Sequence, residues 1–330
     1  MVVLCSVCAG YTTTIDPGTQ WGMWEGWGCS LAWWGNVFGD QPLLADLFFT
    51  LSDVTLPGLP TLPGLGFNIL RYNLGASSFS PAGGQTMVQS PNIPHWKQIE
   101  GYWTNWDSSN PHSPSWNWTA DGLQRQMARL AHARGANYLE LFSNSPMWWM
   151  CDNHNPSGSP TGRTDNLQPW NAQNHSKYLA TVAQYAREQW GLAFTSLEPF
   201  NEPIAAWWVA TGTQEGCHFE VPTQAAGLKY LKDEMTSRGL SGVDIAASDE
   251  STYSMAISTW EGFDEPTRGL VDKINVHGYE YGGGRRDVLY QEAKGKRIWN
   301  SEYGDEVEMV GNLNLDFRWL HPRAWVYWQG

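Results

Sequence analysis

No apolar run in this chain of 330 residues approaches the ~18 residues of a membrane-spanning helix, so a multipass protein is excluded. Positive charge is scarce: 20 lysines and arginines stand against 33 aspartates and glutamates, for a formal net charge of −13. That balance argues against a nucleic-acid backbone as partner and favours a neutral or cationic one. Charged residues make up only 16%, which is unlike a disordered polyelectrolyte. Cysteines number five. Cys5 and Cys8 have redox or zinc spacing, but no second CxxC follows, and the pair is read as chance. If both leave with a leader segment, Cys29, Cys151 and Cys217 remain. One disulfide plus one buried thiol would suit an extracellular enzyme, with Cys151–Cys217 as the expected pair. No internal repeat and no Ser/Pro linker divides the chain. Gly26-Trp27-Gly28 lacks the G-x-G-x-x-G form of a dinucleotide turn, which disfavours a nicotinamide oxidoreductase. No H-E-x-x-H pair is present either.

What the chain has in excess is aromatic surface. It carries 21 Trp, 13 Tyr and 11 Phe, with 34 Gly and 19 Pro. That many indoles exceed the needs of an ordinary core, and flat aromatic faces suit flat neutral partners such as sugar rings. The start, Met1–Gly10, is apolar with small residues near its end. Residues 1–14 are therefore read as a signal remnant or an atypical N-terminus. Two glycosylation acceptors, Asn117-Trp118-Thr119 and Asn174-His175-Ser176, add weak support for a secreted, extracellular protein.

Short apolar runs alternate with helical stretches. Strands are expected at Trp24–Ser30, Ile69–Leu74, Tyr138–Ser143, Ala193–Phe200, Val243–Ala247, Ile274–Val276, Arg297–Glu302 and Ala324–Trp328. Helices are expected at Pro42–Ser52, Ala120–Arg134, Ser176–Trp190, Thr223–Arg238 and Asp287–Lys294, with Thr119 capping the second. Such alternation implies βα units with parallel pairing. Eight of them suit an α/β fold closed as a (β/α)8 barrel, whose sites gather at the C-terminal ends of the strands.

The residues at those ends are polar or aromatic in unusual number. Arg71 and Asn73 end the second strand, and Asn144 follows the third. Asn201-Glu202-Pro203 closes the fourth, and Asp249-Glu250 the fifth. His277 and Tyr279 end the sixth, Glu302 the seventh and Trp328 the eighth. Glu202 and Glu302 would face each other across the mouth. Glycosidic cleavage needs one protonated carboxyl for the leaving oxygen and one carboxylate to attack, or to activate water, at the anomeric carbon.

The segments Phe200-Asn201-Glu202-Pro203 and Trp299-Asn300-Ser301-Glu302-Tyr303 resemble the acid/base and nucleophile motifs of retaining (β/α)8 glycoside hydrolases. Trp24–Gly28, Leu70–Asn73, Asn144–Met150 and Val276–Tyr279 make the chain most similar to glycoside hydrolase family 30. Trp21 through Gly39 resembles the fungal endo-β-1,6-galactanases of that family. The resemblance implies Glu202 as acid/base and Glu302 as nucleophile, with Asn201 on the sugar 2-hydroxyl. It implies that Tyr279 and Arg71 orient Glu302, and that His277 lies in or behind a subsite. Family members carry a β-sandwich beside the barrel. The resemblance therefore implies a catalytic barrel over 15–330, incomplete at the C-terminal side near strand eight, with the sandwich largely missing.

Other expectations rest on the residues themselves. Of Trp24, Trp27, Trp33 and Trp34, at least one should serve as a sugar platform, and Trp27 is the candidate. Beyond Pro146, Trp149 is expected to stack on sugar and Trp148 to pack inward. Asp249 and Glu250 are expected in a loop, solvated or touching substrate hydroxyls. Gly282-Gly283-Gly284 is read as a flexible rim loop. No metal or organic cofactor is expected, and a monomer is. The residues do not decide the substrate; the resemblance alone makes a retaining endo-hydrolase of β-1,6-galactan the leading reading. A β-1,6-glucanase or xylan-acting relative is the nearer alternative, and a non-catalytic carbohydrate-binding protein the more distant one.

Overall fold

The computed structural model describes residues 16–329. The readings of Met1–Gly10, Cys5 and Cys8 lie outside the described residues. Eight parallel strands close into a ring: β1 Gly26–Ser30, β2 Ile69–Leu74, β3 Tyr138–Ser143, β4 Ser196–Glu198, β5 Asp244–Glu250, β6 Lys273–His277, β7 Arg297–Tyr303 and β8 Ala324–Tyr327. Closure comes from β1, which pairs β2 through Gly28↔Ile69 and β8 through Gly26↔Ala324. Strand eight is thus in place and closes the ring of strands of a (β/α)8 barrel. Helices Gly122–Ala133, Ala172–Tyr185, Val221–Ser237, Tyr253–Gly262 and Arg286–Glu292 return the chain between strands. Among the described residues no helix is long and apolar enough to cross a membrane.

The two faces of the strands have different chemistry. Leu70, Tyr72, Leu139, Leu141, Leu197, Ile245, Ile274, Val276 and Ile298 join the main apolar core beneath the helices. Their alternate neighbours point into the lumen, because successive side chains of a strand face opposite ways. There Ile69, Trp299, Ala324 and Val326 form a small apolar plug. Beside it lies a set of fully buried charges. Arg71 is within 3.4 Å of Glu140 and 3.1 Å of Glu198. Lys273 Nζ sits 2.6 Å from Glu140 Oε2 and over the Trp299 ring. Buried ions of this kind persist only when paired.

Several sequence expectations change. Thr119 does not cap its helix: Asp121 holds the N-terminal cap position, without a side-chain capping bond, and Thr119 donates to Asn117 Oδ1 instead. The fourth strand contracts to three residues. Helices Trp34–Phe38, Tyr253–Gly262, Glu265–Leu270 and Met309–Leu315, and an antiparallel pair Asp53–Thr55 with Thr61–Pro63, were not anticipated. Cys151 and Cys217 form no disulfide. Both are buried free thiols, as is Cys29, with Cys151 Sγ turned to the Pro146 and Met147 carbonyls and Cys217 Sγ to its neighbour's. The loop after Gly282 is fastened rather than loose, since buried Arg286 donates to the Gly283 and Tyr281 carbonyls.

Buried acids outside the mouth give the fold a pH dependence. Burial lifts Glu250 and Glu215 to about 8 and Asp121 to about 7. Raised folded-state values mean that the unfolded chain loses these protons first. The stabilisation is complete below the ordinary carboxylate range and is lost as pH rises through about 8. The melting temperature should therefore fall by several °C between pH 5 and pH 8. Glu250→Gln, which mimics the protonated acid, should reduce that slope in a thermal-melt series.

Candidate active site

Glu202 is delivered to the mouth by the short run Pro199–Asn201 beyond β4. Its backbone has φ +48, in the left-handed region that costs a non-glycine residue of order ~1–3 kcal/mol. The surroundings hold it there. Its N–H donates to the Asp249 carbonyl at 2.8 Å, and its own carbonyl accepts from Trp208 Nε1 at 2.9 Å. Asp249, at the end of β5, also has a left-handed φ of +62. Two strained residues at adjacent strand ends thus brace one another.

Glu302 needs no such device, being the sixth residue of β7 and pointed by the strand. Its Oε2 accepts from Arg71 Nη1 and its Oε1 from the Tyr279 hydroxyl, both at 3.0 Å. Between the two glutamates stands His277. Its Nδ1 lies 3.2 Å from Glu202 Oε1 and 3.5 Å from Glu302 Oε1, and its Nε2 lies 3.0 Å from Asp249 Oδ1. One oxygen of each glutamate and a nitrogen of His277 all lie within 4.8 Å of one another. Facing oxygens this close accord with a pair in which one carboxylate attacks directly, for which the carboxyl groups stand ~5–5.5 Å apart. The glutamates open onto a cavity of about 400 Å³, lined also by Asn201, Tyr279, Trp328, Trp207 and Trp208, with Gly212–Gln214 at one side.

Charge is unevenly distributed around this mouth. Burial opposes ionisation of Asp249, but Arg71 at 2.7 Å and His277 hold it well below the usual carboxylate range. Burial works against a charge on His277 too, yet Asp249 and Glu302 raise it well above an ordinary imidazole, so it is an imidazolium at neutral pH. Glu302 is lifted by burial, with His277 and Arg71 pulling the other way. Beneath them Glu198 is pushed far up by burial and by Asp249 and Glu140, with Arg71 and Lys273 pulling the other way.

The structure sorts the sequence candidates into three groups. Glu202, Glu302, Asn201, Tyr279 and Trp328 line the cavity, and Asn201 leaves a buried Oδ1 without a partner. Arg71, His277, Asn73 and Asn144 are wholly buried behind them. Asn144 Nδ2 donates to Asn73 Oδ1 at 3.3 Å, so that pair packs against itself rather than lining the cavity. Three expectations are corrected. Trp149 is only 1% exposed, its Nε1 donating to the Trp103 carbonyl and its ring crossing Trp103, so it has no free face for a sugar. Trp148 is buried as well. Trp27 is 40% exposed but lies on the outside of β1 against Trp24 and Phe317, away from the mouth. Asp249 and Glu250 are on a strand and fully buried, not in a solvated loop.

Sequence reading missed Glu140, Glu198, Lys273 and Ser301, which surround or extend the Arg71 network. Their signal was present: polar residues at alternate positions of otherwise apolar strands. It also missed the tandem Trp207-Trp208. Among the described residues, Glu202, His277 and Glu302 form the one cluster close enough to hold a metal ion. A guanidinium against Glu302, and an imidazole drawn to its charged form, suit that cluster to carrying protons rather than a cation.

A (β/α)8 barrel with two carboxylates opposed at its C-terminal mouth defines the class of the (β/α)8 glycoside hydrolases. Residues 10–265 match the model of O-Glycosyl hydrolase family 30, and the chain belongs to that family. It is 58% identical, over 97% of its length and 67% of the relative's, to an endo-beta-1,6-galactanase of Hypocrea rufa. The fold matches a conserved exported protein from Bacteroides fragilis with a TM-score of 0.76, at 18% identity over 95% of this chain and 71% of that one. It also matches the catalytic domain of a family 30 xylanase C from Talaromyces cellulolyticus with a TM-score of 0.68, at 20% identity over 96% and 70% of the two chains.

Removing Arg71 should expose how much the mouth depends on it. Arg71→Met leaves Glu140, Glu198, Asp249 and Glu302 without their shared cation, and stranding buried charges typically costs ~3–5 kcal/mol. Urea unfolding should show a loss of that order. In the folded fraction, the acid limb of the pH–rate profile should move upward, because Glu302 loses a group that favours its ionised form.

Proposed function

We propose that this chain is an endo-acting, retaining hydrolase of β-1,6-linked galactan. The observation that carries the reading is the pair of glutamates facing each other at one barrel mouth, with one oxygen of each within 4.8 Å of the other, in a chain 58% identical to a galactanase. Glu302 acts as nucleophile: its carboxylate attacks the anomeric carbon while Glu202 gives its proton to the glycosidic oxygen. The leaving sugar departs and a glycosyl ester remains on Glu302. Esterification removes the negative charge beside Glu202, which then takes a proton from water as the water attacks the same carbon. The Glu302 carboxylate is released and the configuration is retained.

The remaining residues orient these two. Arg71 and Tyr279 each fix one oxygen of Glu302. His277, a cation between the glutamates and backed by Asp249, keeps both carboxyl groups turned to the cavity. Asn201, with its unpartnered oxygen, is placed to meet a sugar hydroxyl, and Trp328 offers an aromatic face. One chain supplies every one of these side chains, so a monomer suffices. The chemistry calls on no metal or cofactor. A polymeric galactan lies outside a cell that degrades it, which makes secretion the fitting location.

Glu202→Gln and Glu302→Gln should separate the roles. With an aryl β-galactobioside of good leaving group, the Glu202 variant forms the intermediate and stalls. Azide should then rescue it and give a β-glycosyl azide. In the Glu302 variant azide should give only the α-product. A β-azide from the Glu302 variant would reverse the assignment, and cleavage of glucan or xylan but not galactan would move the substrate.

A further inference from the structure

We propose that Trp207 is the platform for the leaving-group sugar, and that the same indole orients the acid/base. The inference rests on the assignment of Glu302 as nucleophile and Glu202 as acid/base. Contacts at the mouth form a chain from Glu302 through His277 and Glu202 to Trp207. Glu302 Oε1 lies 3.5 Å from His277 Nδ1, which lies 3.2 Å from Glu202 Oε1. The other oxygen of Glu202, Oε2, accepts from Trp207 Nε1 at 3.0 Å. A sugar under attack sits over Glu302, and its glycosidic oxygen sits at Glu202. The sugar on the far side of that bond therefore comes to lie beyond Glu202, where Trp207 stands.

The tandem indoles divide two tasks. Trp208 is 4% exposed and Trp207 49%, although they are neighbours whose rings cross at 65°. Trp208 holds the Glu202 carbonyl, and its ring lies so close to Gly216 that a Cβ there would come within 2.0 Å of it. It is a fixed structural post. Trp207 presents its ring to the cavity with Thr213 and Gln214 beside it. The loop carrying them is tied down from outside, by Ser90 Oγ to the Gly212 carbonyl, Asn92 Nδ2 to the Thr211 carbonyl and Asn155 Nδ2 to the Ala210 carbonyl. The platform is thus rigid before substrate arrives, which limits the ordering cost of binding. Linkage chemistry gives it a reason. A 1,6-bond passes through an exocyclic carbon and adds a rotatable bond between the rings. The sugar at the nucleophile then does not fix the position of the leaving sugar, and a flat face beyond Glu202 restricts it.

The test compares two substrates of Trp207→Ala and Trp207→Phe. One is a β-1,6-galacto-oligosaccharide with a sugar on the leaving side. The other is β-galactobiosyl fluoride, which has no such sugar and whose leaving group needs no acid for the step that kcat/KM reports. Trp207→Ala should lower kcat/KM on the oligosaccharide by about 10- to 100-fold and leave the fluoride within about 3-fold. Trp207→Phe, which keeps a flat ring and loses the N–H, should recover part of the oligosaccharide loss. Equal losses on both substrates, or none on either, would overturn the proposal. If the wild type turns over neither galactoside, the substrate reading fails instead. The same comparison is then made on the glucosyl or xylosyl pair that it does cleave, and decides the role of Trp207 by the same criterion.

Discussion

One guanidinium organises this protein. Arg71 is fully buried on β2 and lies within 3.4 Å of Glu140, Glu198, Asp249 and Glu302, which come from four other strands. No single pair among these would justify taking the charges out of water. Together with Lys273 and His277, however, Arg71 makes three cations that face Glu140, Asp249 and Glu302, while burial and its acidic neighbours push Glu198 toward its neutral form. The attraction among these charges is directed across the barrel rather than along the strands. The network therefore fixes how the strand ends sit relative to one another, on which the separation of Glu202 and Glu302 depends.

The same network connects the fold to the chemistry by short steps. Arg71 holds both Asp249 and Glu302, Asp249 holds His277, and His277 reaches both glutamates. Asp249 also lends its backbone carbonyl to the strained Glu202. The acid/base candidate, on a left-handed residue beyond a three-residue strand, would otherwise be the least constrained part of the mouth. It is held instead by β5 from below and by Trp208 from its own loop.

Much of this plan was legible in the residues. Alternating apolar runs implied eight βα units, and the expected strand ends collected Arg71, Glu202, His277, Tyr279 and Glu302. Asn-Glu-Pro and Trp-Asn-Ser-Glu-Tyr carried the family resemblance. What the sequence hid was depth. Trp149 and Trp27 are indoles at or near the strands, and composition cannot say whether such a ring faces sugar, core or the outer surface. The turn after Pro146 leads into a one-turn 3-10 helix that buries both of its tryptophans. Asp249 looked like a loop residue because β5 runs three residues beyond its apolar run, which ends at Ala247. Glu198 was invisible as an acid pushed toward its protonated form, since nothing local marks the two carboxylates, Asp249 and Glu140, that other strands bring to it.

The central claim is that Glu302, steadied by Arg71, Tyr279 and His277, forms the covalent bond to the sugar. A 2-deoxy-2-fluoro-β-galactobiosyl fluoride tests it most directly. The fluorine slows both steps and the fluoride leaves readily, so the glycosyl ester accumulates and can be located by peptide mass spectrometry. The account predicts a single adduct on Glu302, within the peptide containing Trp299–Tyr303. An adduct on Glu202 or Asp249, or no adduct from an enzyme that cleaves galactan with inversion, would contradict it.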